Sequence, residues 1–246
     1  MNIEYIEVRY KISDLKNFDD LLKILPKEIG IVSTLQYLDI AKKIKDKLKS
    51  EGFIVYTAKS PYMKYEMQVL GCDPLAAKVP TNSVLFIGDG MFHPIEIARR
   101  LKKTVIVYSP ITGSIRILEP DRLFEKKITM LLHKLKESKN VGLITSIKPG
   151  QYLYKEMIEW KKILDKQGKN VFMFITDNIN FNELMNFPDI EFWIIFACPR
   201  LIDDILERKI NAITSFYLRE YCIHHGLCEA PKGNASESSN YKENNN

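Results

Sequence analysis

No apolar run in this sequence approaches the roughly 20 residues that a membrane-spanning helix needs. The opening MNIEYIEVRYK lacks the basic-then-apolar pattern of a secretory signal, so a soluble, cytoplasmic chain with no membrane partner is expected. Cysteine is scarce, at 4 in 246 residues, which excludes a disulfide framework. Cys72 and Cys198 lie far apart, Cys222 and Cys228 sit near the C-terminus, and no CxxC occurs anywhere. A metal centre would therefore have to draw its ligands from distant parts of the chain. Glycine and proline, 11 of each, are too ordinary for a collagen-like or low-complexity chain. Neither charge dominates: 36 basic against 31 acidic residues leave +5. That mild surplus would suit an acidic or RNA-associated partner without specifying one, and no direct nucleic-acid contact is expected.

What the chain does have is apolar residues, 46% of the total, and an internal repeat. EIGIVSTLQYLDIAKKIKDKLKSEGFIVYTAK (28–59) matches NVGLITSIKPGQYLYKEMIEWKKILDKQGKNVFMFITD (140–177). Each copy reads as a glycine-containing strand, an amphipathic helix, a helix-ending glycine (Gly52, Gly168) and a second strand. The helix faces are Tyr37, Ile40, Ala41, Ile44 and Leu48 in the first copy, and Leu153, Met157, Trp160 and Leu164 in the second. The second copy carries four extra residues around Lys148–Gln151, and additions between a strand and a helix usually line a site.

Each copy continues as strand, helix, strand: SVLFIGDG, HPIEIARRLKK and TVIVYSP in the first, EFWIIFACP, RLIDDILERK and NAITSF in the second. Continuous apolar strands alternating with amphipathic helices indicate parallel sheets covered on both faces. The expected fold class is α/β, with two similar parallel-sheet units (1–122 and 123–230) facing a common cleft. The units would join near Ile117–Ser138. The alternation of Val8, Tyr10 and Ile12 would add a lead strand to the first unit. From Pro231 the chain loses its apolar residues, so 231–246 is expected to be a disordered tail.

In parallel α/β sheets ligands gather beyond the carboxyl ends of the strands. Four unusual segments fall at such ends: GCDP (71–74), GDGMFHP (88–94), TSIKPGQ (145–151) and ACPR (197–200). A lone cysteine is more often a small buried hydrophobe than a ligand. Cys72 and Cys198, however, stand in turn sequences beside Gly, Pro and charged residues rather than on an apolar face. The segment YCIHHGLC (221–228) offers two Cys and two His, but a lone C-x5-C is a weak metal signal beside a terminal helix with a frayed end. The lysines at 42, 43, 45, 47 and 49 fit a solvated helix face, or a docking face for a partner. GDG is too short to be a nucleotide fingerprint, and His93, at a helix start before proline, has a structural alternative to a role near substrate.

Taken together and in order, QVLGCD (68–73), LFIGDGMFHP (85–94), KPGQ (148–151) and ACPR (197–200) resemble the diphthamide synthase subunits, the 2-(3-amino-3-carboxypropyl)histidine synthase family. The resemblance runs from about Ile29 to Phe216. It implies a non-classical radical enzyme of three similar α/β domains that works as a dimer. Each domain gives one cysteine to a [4Fe–4S] cluster, for which thiolates are the suited soft ligands. S-adenosylmethionine would bind the open iron, and its 3-amino-3-carboxypropyl group would go to C2 of a histidine in translation elongation factor 2. On this resemblance Cys72 and Cys198 are cluster ligands. Gln151, Arg200, Asp204, Asp89 and His93 are contacts of S-adenosylmethionine or the reacting centre, Arg200 because its fork suits a carboxylate. No residue is assigned as catalytic.

The family's first domain and its cysteine have no counterpart, since Met1 falls near where the second domain would begin. Three explanations stay open. A separate first-domain chain or a family homologue supplies the missing ligand, the protein is a non-catalytic partner of a complete homologue, or Cys222 or Cys228 substitutes.

Overall fold

The strongest apolar segments form the centres of two sheets in a computed structural model that describes residues 6–225, with side chains through Tyr221. The chain divides into two units, Met1–Arg122 and Leu123–Asn246, and each is α/β. Pro231–Asn246, Cys228 and the side chain of Cys222 lie outside the described residues.

Unit 1 comprises α1 (Phe18–Ile24), β1 (Glu28–Ser33), α2 (Leu38–Ser50), β2 (Ile54–Tyr56), β3 (Ser83–Ile87), α3 (Phe92–Leu101), β4 (Thr104–Tyr108) and β5 (Ile115–Leu118). Its sheet runs β2-β1-β3-β4-β5, parallel except for the β4–β5 pair. Alternate strand residues feed opposite faces, as the pleat requires. Ile29, Ile31, Leu85, Ile87 and Ile106 pack with Ile40, Ala41, Ile44 and Leu48 of α2. Val32, Val84, Phe86, Val105 and Val107 pack with Ile97 and Ala98 of α3.

Unit 2 comprises α4 (Arg122–Glu137), β6 (Asn140–Ser146), α5 (Tyr154–Lys166), β7 (Asn170–Thr176), α6 (Phe181–Leu184), β8 (Phe192–Phe196), α7 (Leu201–Arg208), β9 (Ala212–Thr214) and α8 (Ser215–His225). Its all-parallel sheet, β7-β6-β8-β9, repeats the order β2-β1-β3-β4. The repeat extends to the helix ends. Gly52 and Gly168 both adopt positive φ, at 78° and 76°. Their amides bond to Lys49 O and Asp165 O, and the following amides of Phe53 and Lys169 to Leu48 O and Leu164 O. Both helices thus end in the same Schellman motif.

One local expectation is corrected. The segment around Val8, Tyr10 and Ile12 is not a strand: Val8 is 68% and Tyr10 49% exposed. It is strapped to unit 1 instead by Tyr10 N–H donating to Gln36 O at 2.8 Å and by an Arg9–Asp39 ion pair at 2.9 Å. The place beside β4 goes to β5, which returns through the turn closed by Gly113 N–H to Ser109 O. Closing so short a loop costs far less entropy than recruiting a strand from the chain start. The boundary between the units, after Arg122, falls within the expected joining segment 117–138, which is largely α4, whose Phe124, Ile128, Leu131, Leu132 and Leu135 form one buried helical stripe. Among the described residues no helix is long and apolar enough to cross a membrane.

Gly142 in β6 lets the indole of Trp193, its in-register neighbour on β8, lie across the strand. A Cβ at this position would stand 2.5 Å from Trp193 Cε3 and 2.6 Å from Cζ3. Overpacking of this kind costs roughly 1–3 kcal/mol. Gly142→Ala should therefore lower the denaturant midpoint by that equivalent, and Trp193→Leu in the same chain should recover part of the loss. Equal midpoints for wild type and Gly142→Ala would show that the indole yields freely.

Candidate functional site

The loop carrying Cys72 is hooked onto the carboxyl end of β1. Ser33 N–H donates to Met67 O at 2.9 Å and Val69 N–H to Ser33 O at 3.0 Å, a parallel bridge that stops the long β2–β3 connection there. The turn that follows is fixed from several sides. Leu70 and Asp73 exchange backbone hydrogen bonds at 3.0 and 3.2 Å. The buried Asp73 carboxylate accepts from Leu75 N–H at 3.0 Å and from the Ser60 hydroxyl. Gly71 lies so close under the Phe92 ring that no Cβ would fit. Arg100 Nη1 donates to Cys72 O at 3.1 Å, and its Nε lies 3.9 Å from the fully buried carboxylate of Glu96. Cys72 itself is exposed and forms no disulfide. The sequence-predicted thiol therefore sits on a rigid backbone with its side chain toward solvent.

Asp89 follows β3 and accepts a hydrogen bond from Tyr37 OH, at the carboxyl end of neighbouring β1. Tyr37 is buried beneath Tyr10, with ring centroids 4.9 Å apart. Burial, and then the Asp89 carboxylate, push its phenol well above the ordinary tyrosine value. His93 stacks on the core ring of Phe86, centroids 5.9 Å apart at 16°, and meets Phe92 edge-on at 5.4 Å. Phe92 thus joins the histidine to the Cys72 turn.

In unit 2, β6 ends in Thr145 and Ser146, whose hydroxyls organise the extension that follows. Thr145 Oγ1 donates to Phe196 O at 2.8 Å and accepts from Leu153 N–H at 3.1 Å. Ser146 Oγ donates to Asp177 O at 2.7 Å and accepts from Lys148 N–H at 3.2 Å. Gln151 is half-buried within this loop, its N–H closing a turn onto Lys148 O. Cys198, also half-buried and outside any disulfide, follows the last residues of β8 and leads into α7. Arg200 is buried at the start of α7, its Nη2 2.6 Å from Asp203 Oδ2. The acid paired with Arg200 is therefore Asp203, while Asp204 faces outward and is exposed.

The strand registers show how the two units relate. Gly30 pairs with Val84 in unit 1 as Gly142 pairs with Trp193 in unit 2. Counting forward, Asp89 occupies in unit 1 the place that Cys198 occupies in unit 2. Cys72 comes instead from the long connection after β2. Tyr37, Arg100, Asp203 and Thr145 were not singled out from sequence. Asp203, three residues after Arg200, was open to detection by helical spacing, whereas Arg100 carried no signal. Thiolates are the right donor type for an iron–sulfur cluster, but among the described residues no group of three Cys, His, Asp or Glu could hold a metal.

The chain matches the family model described as putative diphthamide synthesis protein over residues 1–208. It is 34% identical over 185 residues to the 2-(3-amino-3-carboxypropyl)histidine synthase of Pyrococcus horikoshii, covering 74% of this chain and 54% of that protein. The enzyme of the same name from Methanocaldococcus jannaschii is 30% identical over 205 residues, covering 80% and 53%. The crystal structure of Dph2 from Pyrococcus horikoshii matches with a TM-score of 0.75 at 30% identity, over 90% of this chain and 65% of that one. The structure of that protein with a 4Fe-4S cluster matches with a TM-score of 0.73 at 28% identity, over 92% and 69%. The chain spans about half the length of the curated relatives it matches.

Burial also raises Tyr108 and Tyr221 to about 12, so with Tyr37 they hold their protons where the unfolded chain's phenols lose them. A folded-state value above the unfolded one leaves stability intact below the unfolded value of 10.0 and removes it as pH rises toward about 12. Titration followed by phenolate absorbance should show a late group that appears only with loss of helical circular dichroism. Tyr37→Phe should shrink that late group. A single titration with unchanged helix content would contradict the assignment.

Proposed function

The chain belongs to the family of putative diphthamide synthesis proteins, and on that premise we propose that it takes part in the first step of diphthamide formation. The reaction is transfer of a 3-amino-3-carboxypropyl group from S-adenosylmethionine to C2 of a histidine in translation elongation factor 2. The observation that carries the proposal is the setting of the two cysteines. Each lies outside any disulfide, on a backbone held by neighbouring strand ends or helices, past the carboxyl side of a sheet. Relatives that match over most of this chain are named for that synthase activity, and one structural match carries a 4Fe-4S cluster.

In this reading Cys72 and Cys198 are the thiolates that the chain contributes to an iron–sulfur cluster. When bound, such a cluster would supply the electron needed to break the sulfonium carbon–sulfur bond and would take one back as the imidazole recovers its aromaticity, so that the net transfer is redox-neutral. Overall, that bond breaks, a carbon–carbon bond forms to the imidazole, the C2 proton is lost and methylthioadenosine leaves. Arg200, held in place by Asp203, presents a guanidinium suited to the methionine carboxylate. Gln151 offers an amide from the β6–α5 loop. Asp89, fixed by Tyr37, offers a carboxylate to an ammonium or imidazole N–H. His93, leaning on Phe86 and Phe92, lines the approach to the Cys72 turn. Asp204, exposed on α7, has the weakest support of the predicted contacts.

A further thiolate would come from Cys222 or Cys228, or from a homologous partner or separate domain in the cytoplasm. The second reading is a non-catalytic subunit that supports a complete homologue.

Anaerobic reconstitution with iron and sulfide separates these readings. Wild type alone should bind a labile cluster, and Cys72→Ala or Cys198→Ala should each lose most of the bound iron. A family homologue added as partner should restore stable iron and yield labelled 3-amino-3-carboxypropyl on elongation factor 2. A homologue that is fully active with both cysteines of this chain replaced would establish the supporting role instead.

A further inference from the structure

The side chain of Thr145 ties the β6–α5 extension to the strand that leads into Cys198. Its hydroxyl is fully buried. The single proton goes to Phe196 O at 2.8 Å, and the lone pairs receive Leu153 N–H at 3.1 Å. Gln151 O lies 3.4 Å from the same oxygen. Both ends of the loop around Gln151 and the carbonyl two residues before Cys198 therefore meet at one atom.

The internal repeat provides a control within the molecule. Counting from Gly30 and Gly142, Ser33 of β1 stands where Thr145 stands in β6, and each pairs in register with the last residue of the next strand, Ile87 or Phe196. Unit 1 lacks the four-residue extension, and there the Ser33 hydroxyl is buried with no hydrogen-bond partner among the described residues. Hydrogen bonding by the side chain at this position is thus not needed to build the sheet. Its bonds exist where the extension exists.

We infer that Thr145 is a positioning residue that sets the Gln151 turn and the Cys198 turn relative to each other, and so governs binding of the carboxypropyl donor. The last clause rests on the proposed function, whereas the coupling of the two turns does not. Buried polar groups that lose their partners are costly, so the bonds to Phe196 O and Leu153 N–H hold the turns together through a single side chain. A hydroxyl, rather than an isosteric methyl, is the group required.

The test uses the full chain with Thr145→Val, which keeps shape but not hydrogen bonding, and Thr145→Ser, which keeps both bonds. Thr145→Ala stands in where Val does not fold, with fold checked by circular dichroism. Hydrogen exchange at the Leu153 amide and the alkylation rate of Cys198 at fixed pH are measured in each. Thr145→Val should raise both rates by roughly tenfold, the scale expected when about 1.4 kcal/mol of local bonding is lost, and Thr145→Ser should restore both. Faster exchange at Leu153 with unchanged alkylation of Cys198 would overturn the coupling, as would Ser behaving like Val. Equilibrium binding of S-adenosylmethionine to the reconstituted chain with its homologous partner is the separate arm. A loss of about tenfold in Thr145→Val, rescued by Ser, extends the coupling to the donor. Coupled turns with no binding by wild type would remove the functional reading and leave the coupling intact.

Discussion

Burial of a parallel sheet on both faces is the constraint on which the rest of this structure depends. The strand FWIIF is apolar at every position and SVLFI at all but its first, so helices must cover each side of the sheet, and every return to a parallel neighbour must cross over. Side chains of the strand interior are then consumed by packing. Polar chemistry is left to the strand ends, where the backbone turns from strand to helix. Asp89, Gln151, Cys198 and Arg200 lie in such turns, and Cys72 lies in the connection from β2 to β3.

The two units solve this constraint with one plan and then diverge where function would act. They share strand order, the glycine notch at Gly30 and Gly142, and the Schellman ends at Gly52 and Gly168. They differ at the carboxyl ends. Unit 2 inserts the loop pinned by Thr145 and places Cys198 after β8. Unit 1 has Asp89 at the matching place, held by Tyr37, and delivers its cysteine through the long connection hooked onto Ser33. The repeat thus supplies scaffolding twice, while the side chains at the strand ends differ between the copies.

The cysteine turns show how a thiol is held ready without being buried. At Cys72 the fixed element is the backbone: Asp73 is tied down by Ser60 and Leu75, Gly71 by the Phe92 ring, and the carbonyl by Arg100. Such preorganisation suits a ligand that must meet a cluster without paying the entropy of ordering a loop. At Cys198 the same end is served by the strand just before it and the helix just after it.

Periodicity alone determined much of this architecture. The apolar runs, the amphipathic faces of α2 and α5 and the helix-ending glycines are local patterns, and the parallel α/β order follows from them. The stripe of α4 was equally periodic and was overlooked inside a presumed joining segment. The alternation of Val8, Tyr10 and Ile12 misled, because a strand also needs an open edge, and β5 reaches that edge through a much shorter loop. The turns carrying Cys72 and Cys198 were legible because Gly, Asp and Pro beside the cysteines announce a turn. What the tertiary structure decided is which groups meet. Tyr37 finds Asp89 across two strand ends, Arg100 reaches Cys72 from a helix 28 residues on, and Thr145 joins Gln151 to Phe196. None of these pairs has a sequence spacing that marks it, because each is set by the lateral order of strands, and only hydrogen bonding across the sheet establishes that order.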